Sequence, residues 1–124
     1  MENLIKIMLV DDDPAITSIL KTKLEKTGKF SVVLTNESTE ALRMAQDEQP
    51  NLIICDIDMP DMSGGDVARA IFDAEDTKKI PVLFLSSIVA ESDVKNGMVG
   101  KQHMISKSSD INKLIAKIES MLNS

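Results

Sequence analysis

The sequence predicts an α/β protein: one doubly wound domain spanning residues 1–124, with a parallel five-stranded sheet covered by helices on both faces. Three observations lead there. Short apolar runs alternate strictly with helix-patterned segments, five times over. The strand-like runs are apolar throughout instead of every second residue, as strands buried on both faces are. Polar side chains collect where those runs end, and in an open parallel sheet that edge is where ligands bind.

The first run, "LIKIMLV" over residues 4–10, reads as a buried strand. A helix follows, with Asp13 as its cap, Pro14 in the first turn and Gly28 at its end. Ile16, Ile19, Leu20 and Leu24 are expected to share its inward face. "FSVVLT" is the second strand. Ser38 opens a helix carrying Ala41, Leu42 and Ala45, which stops before Pro50. "NLIICD" over residues 51–56 is the third strand, and "GGDVARAIFDAE" the third helix, with Val67, Ala70, Ile71 and Ala74 facing inward. "PVLFLSS" is the fourth strand. "ESDVKNGMVG" over residues 91–100 has a weak helical pattern, since Gly97 and Gly100 each cost about 1 kcal/mol if helical. "HMIS" is a short fifth strand. "DINKLIAKIESML" is a closing amphipathic helix with Ile111, Leu114, Ile115, Ile118 and Leu122 on one side. No repeat, low-complexity tract or linker interrupts this order.

Composition narrows the function. A chain of 124 residues fits one core, and 43% hydrophobic with 27% charged residues is globular in character. A net charge of −6 argues against nucleic acid as a direct partner, because phosphate binding wants a basic face. Three Phe, with no Trp or Tyr, leave no aromatic platform for stacking bases. No apolar stretch approaches the roughly 18 residues that span a membrane, and the N-terminal run is too short for a signal peptide. The single cysteine, Cys55, allows no internal disulfide, so a reduced cytoplasmic setting is expected. Within its strand Cys55 reads as a small apolar core residue. His103, the only histidine, reads as a surface or turn residue.

The polar strand ends carry the chemistry. Asp11-Asp12-Asp13 follow the first strand, Asp56 ends the third, Ser86-Ser87 end the fourth and Ser106-Lys107 the fifth. Clustered carboxylates repel, and a hard divalent cation relieves them; Mg²⁺ takes one or two carboxylates plus phosphate oxygens. A carboxylate can also attack phosphorus and form an aspartyl-phosphate, stabilised by metal, lysine and hydroxyl donors. Taken singly, Asp13 and Asp61 read as cap and turn, Asp58 as a loop acid, Ser87 as a turn hydroxyl and Lys107 as a surface lysine. Their joint placement points instead to Mg²⁺-dependent phosphoryl transfer to an aspartate.

At this level of detail the chain resembles the receiver domain of two-component response regulators, over essentially its whole length. "IMLVDDDP" resembles the acidic pair after the family's first strand. "IICDIDMPDMSGGD" resembles the D-x-x-M-P-x-M-x-G signature around the phosphoacceptor. "IPVLFLSS" and "GKQHMISK" are similar to the segments ending in the family's Ser/Thr and Lys. The resemblance implies a flavodoxin-like sheet in the order 2-1-3-4-5. It implies Asp56 as phosphoacceptor, Asp12 as a direct Mg²⁺ ligand, Asp11 acting mainly through water, and the Asp58 carbonyl as a further ligand. Ser86 would bond the phosphoryl group and Lys107 pair with it, while Gly64 serves the turn into the third helix. Partners would be a histidine kinase or histidine phosphotransfer protein, with a fused or separate output domain. Activity would be limited to Mg²⁺-assisted self-phosphorylation and autodephosphorylation, not that of an enzyme.

Three positions depart from the family pattern. Ser108 stands where proline usually follows the lysine, so the Lys107-Ser108 bond is expected either trans with a shifted loop or cis at a cost of about 2.5–4 kcal/mol. Met104 occupies the place of the switch aromatic. Gly65 replaces an apolar residue and is expected to loosen the start of the third helix. The first two keep open a degenerate receiver that acts by docking or dimerisation. "DID" (Asp56, Ile57, Asp58) also resembles the D-x-D motif of haloacid-dehalogenase-type phosphatases, though there it follows the first strand.

Overall fold

The computed structural model describes residues 4–87 and 102–123 together with the backbone of 98–99. The strands are β1 (Ile5–Val10), β2 (Phe30–Thr35), β3 (Leu52–Asp56), β4 (Val82–Ser86), β5 (Met98–Val99) and β6 (Gln102–Ser106). The helices are α1 (Pro14–Lys26), α2 (Ala41–Glu48), α3 (Gly64–Asp73) and α4 (Ile111–Leu122), with a 3-10 turn at Ser38–Glu40 leading into α2. The sheet order is β2-β1-β3-β4-β6-β5. Strands β1, β2, β3, β4 and β6 are parallel, so the five expected strands stand in the order 2-1-3-4-5.

Burial on both faces explains the continuous apolar runs. On one face Ile7, Leu9, Leu52, Ile54, Leu83 and Ile105 pack with Leu24 of α1 and with Leu114 and Ile118 of α4. On the other, Met8, Val10, Ile53, Cys55, Phe84 and Met104 pack with Ala41 and Ala45 of α2 and with Val67 and Ile71 of α3. Every residue of β3 is buried, as befits the central strand.

Caps set the helix starts. Asp13 accepts from the Ala15 amide, Ser63 from Asp66 and Asp110 from Lys113. Gly28, at φ +80°, lets the chain turn after α1 into β2.

Two expectations need correction. Ile19 is not on the inward face of α1; it is 53% exposed, while Thr17 is buried. At 3.6 residues per turn Ile19 lies about 140° around the helix from Leu24, and the sheet covers only the stripe through Thr17, Leu20 and Leu24. Met98–Val99 is not helical: it pairs antiparallel with Gln102 and His103 at the sheet edge. Gly97 and Gly100 weaken a helix there, and β6 offers an unpaired backbone edge. The rest of that expected helix lies outside the described residues. Among the described residues, no helix is long and apolar enough to cross a membrane.

Two glycines side by side in α3 have opposite needs. A Cβ on Gly64 would press on the Asp56 carbonyl oxygen and lie 2.7 Å from Ile57 Cα, whereas one on Gly65 would meet only Ser63 Oγ at 3.8 Å. Gly64→Ala is therefore expected to destabilise the protein by about 1–3 kcal/mol. Gly65→Ala should stabilise it by about 0.5–1 kcal/mol. Urea unfolding of both variants checks the opposite signs.

Candidate functional site

The site lies at the C-terminal edge of the parallel strands. Asp11 follows the last residue of β1, and its backbone still joins the ladder through an amide bond to Thr35 O of 3.3 Å. Its side chain turns inward, and the residue is 3% exposed. Asp11 Oδ1 accepts from the Asp13 amide at 3.0 Å, so the cap of α1 also orients the acid. The register Val10↔Cys55 brings the end of β1 beside the end of β3, where Asp56 is also 3% exposed. Asp56 Oδ1 accepts from the Asp58 amide at 3.3 Å. Asp12 is exposed, yet one oxygen each from Asp11, Asp12 and Asp56 lie within 4.8 Å of one another.

Among the described residues, a single ammonium answers the two buried acids. Lys107, just past β6, places Nζ 3.0 Å from Asp11 Oδ2 and 3.3 Å from Asp56 Oδ1. Its loop is tied to the sheet by its amide, which donates to the Ser86 carbonyl at 2.8 Å. Ser86 ends β4, fully buried and paired in register with Ser106. The sheet edge thus gathers Asp11, Asp12, Asp56, Ser86 and Lys107, with the Asp58 amide on the same carboxylate. Asp61 and Ser87 are exposed loop residues, and Asp13 is the cap.

Electrostatics mark Asp56 as the frustrated acid. Burial, then the nearby charge of Asp11, pushes its carboxyl above the ordinary value, and the Asp58 amide and Lys107 only partly offset this. Burial alone would lower the Lys107 ammonium, but Asp11 and Asp56 outweigh it and hold it above its usual value. Asp11 Oδ2 is buried without a well-directed hydrogen bond; the 3.0 Å approach of Lys107 supplies charge rather than an aligned donor. Three clustered carboxylates, one of them with an under-bonded buried oxygen, fit a hard, oxygen-seeking cation.

The Lys107-Ser108 bond is trans; no peptide among the described residues is cis. Cys55 is fully buried in β3, as expected of a core residue, and burial followed by the charges of Asp56 and Asp11 pushes its thiol up to about 12. His103 is not in a turn. It sits half-buried on β6 with Nδ1 2.8 Å from Lys117 Nζ of α4.

One pair of positioning residues has no counterpart in the expected set. The Asn36 side-chain amide donates to the Asp11 carbonyl at 2.8 Å and to Thr17 Oγ1 at 3.0 Å, pinning the acidic turn to α1. The available signal was an Asn just past the second strand, at the same sheet edge, with a Thr among the apolar residues of the first helix.

The comparisons with known proteins agree with this geometry. The chain matches the sequence model of the response regulator receiver domain over residues 7–119. It is 29% identical over 119 residues to the polar-differentiation response regulator DivK of Brucella ovis, covering 94% of each. It is 33% identical over 118 residues to the transcriptional regulatory protein CpxR of Escherichia coli, covering 94% of this chain and 49% of CpxR. A solved response regulator from Desulfuromonas acetoxidans superposes with a TM-score of 0.80 at 27% identity, covering 95% of this chain and 96% of that one.

Two outcomes follow from the charges. Because the carboxyl of Asp56 is raised on folding, the native state holds that proton more tightly than the unfolded chain does. Stability is then lost as pH climbs from the ordinary carboxylate range through the raised value, and it stays lost above that. Asp56→Asn should therefore raise the thermal midpoint at pH 7 in metal-free buffer and flatten that acid-side slope; an unchanged or lower midpoint would count against the repulsion. Cys55 should resist maleimide at pH 7 in the native protein and label fully in denaturant, read by mass.

Proposed function

As the chain belongs to the response regulator receiver domain family of two-component signal transduction, we propose that it is a phosphoacceptor that switches on receiving a phosphoryl group at Asp56. The carrying observation is the paired approach of Lys107 Nζ to Asp11 and Asp56 at the mouth of the sheet. It sets a nucleophilic carboxylate beside a cation able to meet phosphoryl oxygens.

In this reading the donor is a phosphorylated histidine on a histidine kinase or phosphotransfer protein. An Asp56 carboxylate oxygen attacks phosphorus; the new P–O bond forms as the P–N bond of the donor breaks, and the imidazole leaves. Lys107 releases part of its hold on Asp56 and pairs with the incoming oxygens, which carry more charge than the carboxylate did. Ser86 donates its hydroxyl to the phosphoryl group. Asp11, Asp12 and Asp56, with the Asp58 carbonyl, would hold Mg²⁺, which when bound supplies charge that offsets the carboxylates and the phosphoryl oxygens. Asp11 and its pin, Asn36, keep the acids in place through the step.

Output follows from packing. Drawing Ser86 toward the phosphoryl group displaces the end of β4, and Lys107 N is bonded to the Ser86 carbonyl, so the β6 loop moves with it. Met104 is buried in the α2/α3-side core below this point. A flexible thioether there transmits less than an aromatic ring. That favours a second reading, a receiver acting chiefly by docking or dimerisation.

Intact mass after incubation with acetyl phosphate, with and without Mg²⁺, separates the two. The expected result is one phosphoryl adduct, dependent on Mg²⁺ and absent in Asp56→Asn. An adduct that persists in the variant would overturn the assignment of Asp56. No adduct, beside a receiver that labels under the same conditions, would favour the docking module.

A further inference from the structure

We propose that Ser108 is a positioning residue: its hydroxyl, paired with that of Ser106, locks the turn that aims Lys107 at Asp11 and Asp56. The inference rests on the phosphoacceptor reading for its kinetic consequence, but its geometry stands apart from it.

Lys107 leaves β6 and must hold a long, flexible side chain over two carboxylates. Freezing such a side chain costs up to about 2 kcal/mol of rotamer freedom, so a loose backbone beneath it would spread Nζ over many positions. Four hydrogen bonds stiffen that backbone. The Lys107 amide donates to the Ser86 carbonyl at 2.8 Å, and the Ser109 amide to the Ser106 carbonyl at 3.0 Å. The Ser108 amide donates to Ser106 Oγ at 3.2 Å, and the two hydroxyls meet at 2.7 Å. The serine bonds bracket Lys107 from either side, in the manner of a hydroxyl that bonds a backbone amide two residues on.

Ser106 is 4% exposed, so its hydroxyl needs partners, and among the described residues Ser108 supplies both. Proline at 108, the usual family residue, has neither an N–H nor a hydroxyl and would strip Ser106 of both bonds. Ser106 and Ser108 therefore act as a matched pair, replacing the stiffness of a ring with two hydrogen bonds. Ser108 itself is exposed and the bond before it is trans, so alanine or threonine fits there without a steric penalty.

The test compares Ser108→Ala, Ser108→Thr and Lys107→Met, singly and with Ser108→Ala added to Lys107→Met. Labelling rates with acetyl phosphate at saturating Mg²⁺ give the first readout. Loss of one hydroxyl pair should slow labelling by roughly two- to tenfold in Ser108→Ala. Ser108→Thr should keep the wild-type rate. In the Lys107→Met background Ser108→Ala should cause no further slowing, because the two act through one side chain. Wild-type labelling in Ser108→Ala, or equal slowing with and without Lys107, overturns the inference. A second readout needs no phosphoryl chemistry. NMR relaxation of residues 107–109 and of the Lys107 side chain should show order lost in Ser108→Ala and restored in Ser108→Thr; unchanged order in Ser108→Ala overturns it. If the wild type takes no phosphoryl group, the phosphoacceptor reading fails, and relaxation alone decides the role of Ser108.

Discussion

Two carboxylates, Asp11 and Asp56, are buried side by side at the end of adjacent strands, and one ammonium, that of Lys107, stands between them. Desolvated like charges are costly, and a single lysine cannot satisfy both. Much of the local structure serves this arrangement. The cap of α1 bonds Asp11, the Asp58 amide bonds Asp56, and Asn36 holds the backbone of Asp11 in place. Gly64 has no side chain because the start of α3 runs directly over the Asp56 carbonyl. What remains under-compensated, chiefly Asp11 Oδ2 and the raised carboxyl of Asp56, lies in an acidic cluster that could hold a metal ion.

The sheet makes that tension affordable in structural terms. Both faces are sealed by helices, so the strands cannot slip without exposing a core face, and register places Val10 beside Cys55 and Ser86 beside Ser106. Cys55 shows the contrast along a single strand. One residue before Asp56, its thiol packs in the core and is held protonated, while the Asp56 carboxylate meets Lys107 at the sheet edge. Alternation along the strand separates packing from chemistry within two residues. The exposed ion pairs, such as Lys29 with Glu119, add little to this because water screens them.

Reading the chain from its residues went furthest where a pattern repeats. Continuous apolar runs identified β1, β3 and β4, and Asp13 and Pro14 located the start of α1. It failed where one residue's environment depends on which elements happen to cover it. Ile19 fits an apolar stripe but faces outward, since the sheet covers a narrower arc than the stripe spans. His103 gains a partner fourteen positions away only because β6 and α4 pack together. Asn36 had no assignment from the sequence, and its role emerges only when β2 lies beside β1. Met98–Val99 took the strand edge in preference to a weak helix.

By itself the sequence determined the α/β class, the strand order through its family resemblance, and the gathering of Asp11, Asp12, Asp56, Ser86 and Lys107 at one place: all stand at strand ends, and strand ends share one edge of a parallel sheet. Tertiary structure alone decided how those groups face one another. Whether Lys107 bridges both acids and whether Ser106 and Ser108 meet depend on distances of a few tenths of an ångström, the first between segments far apart in the chain. Local propensity carries no such information. Periodicity tells which face a residue takes, but only packing against a neighbouring strand sets where its polar atom ends.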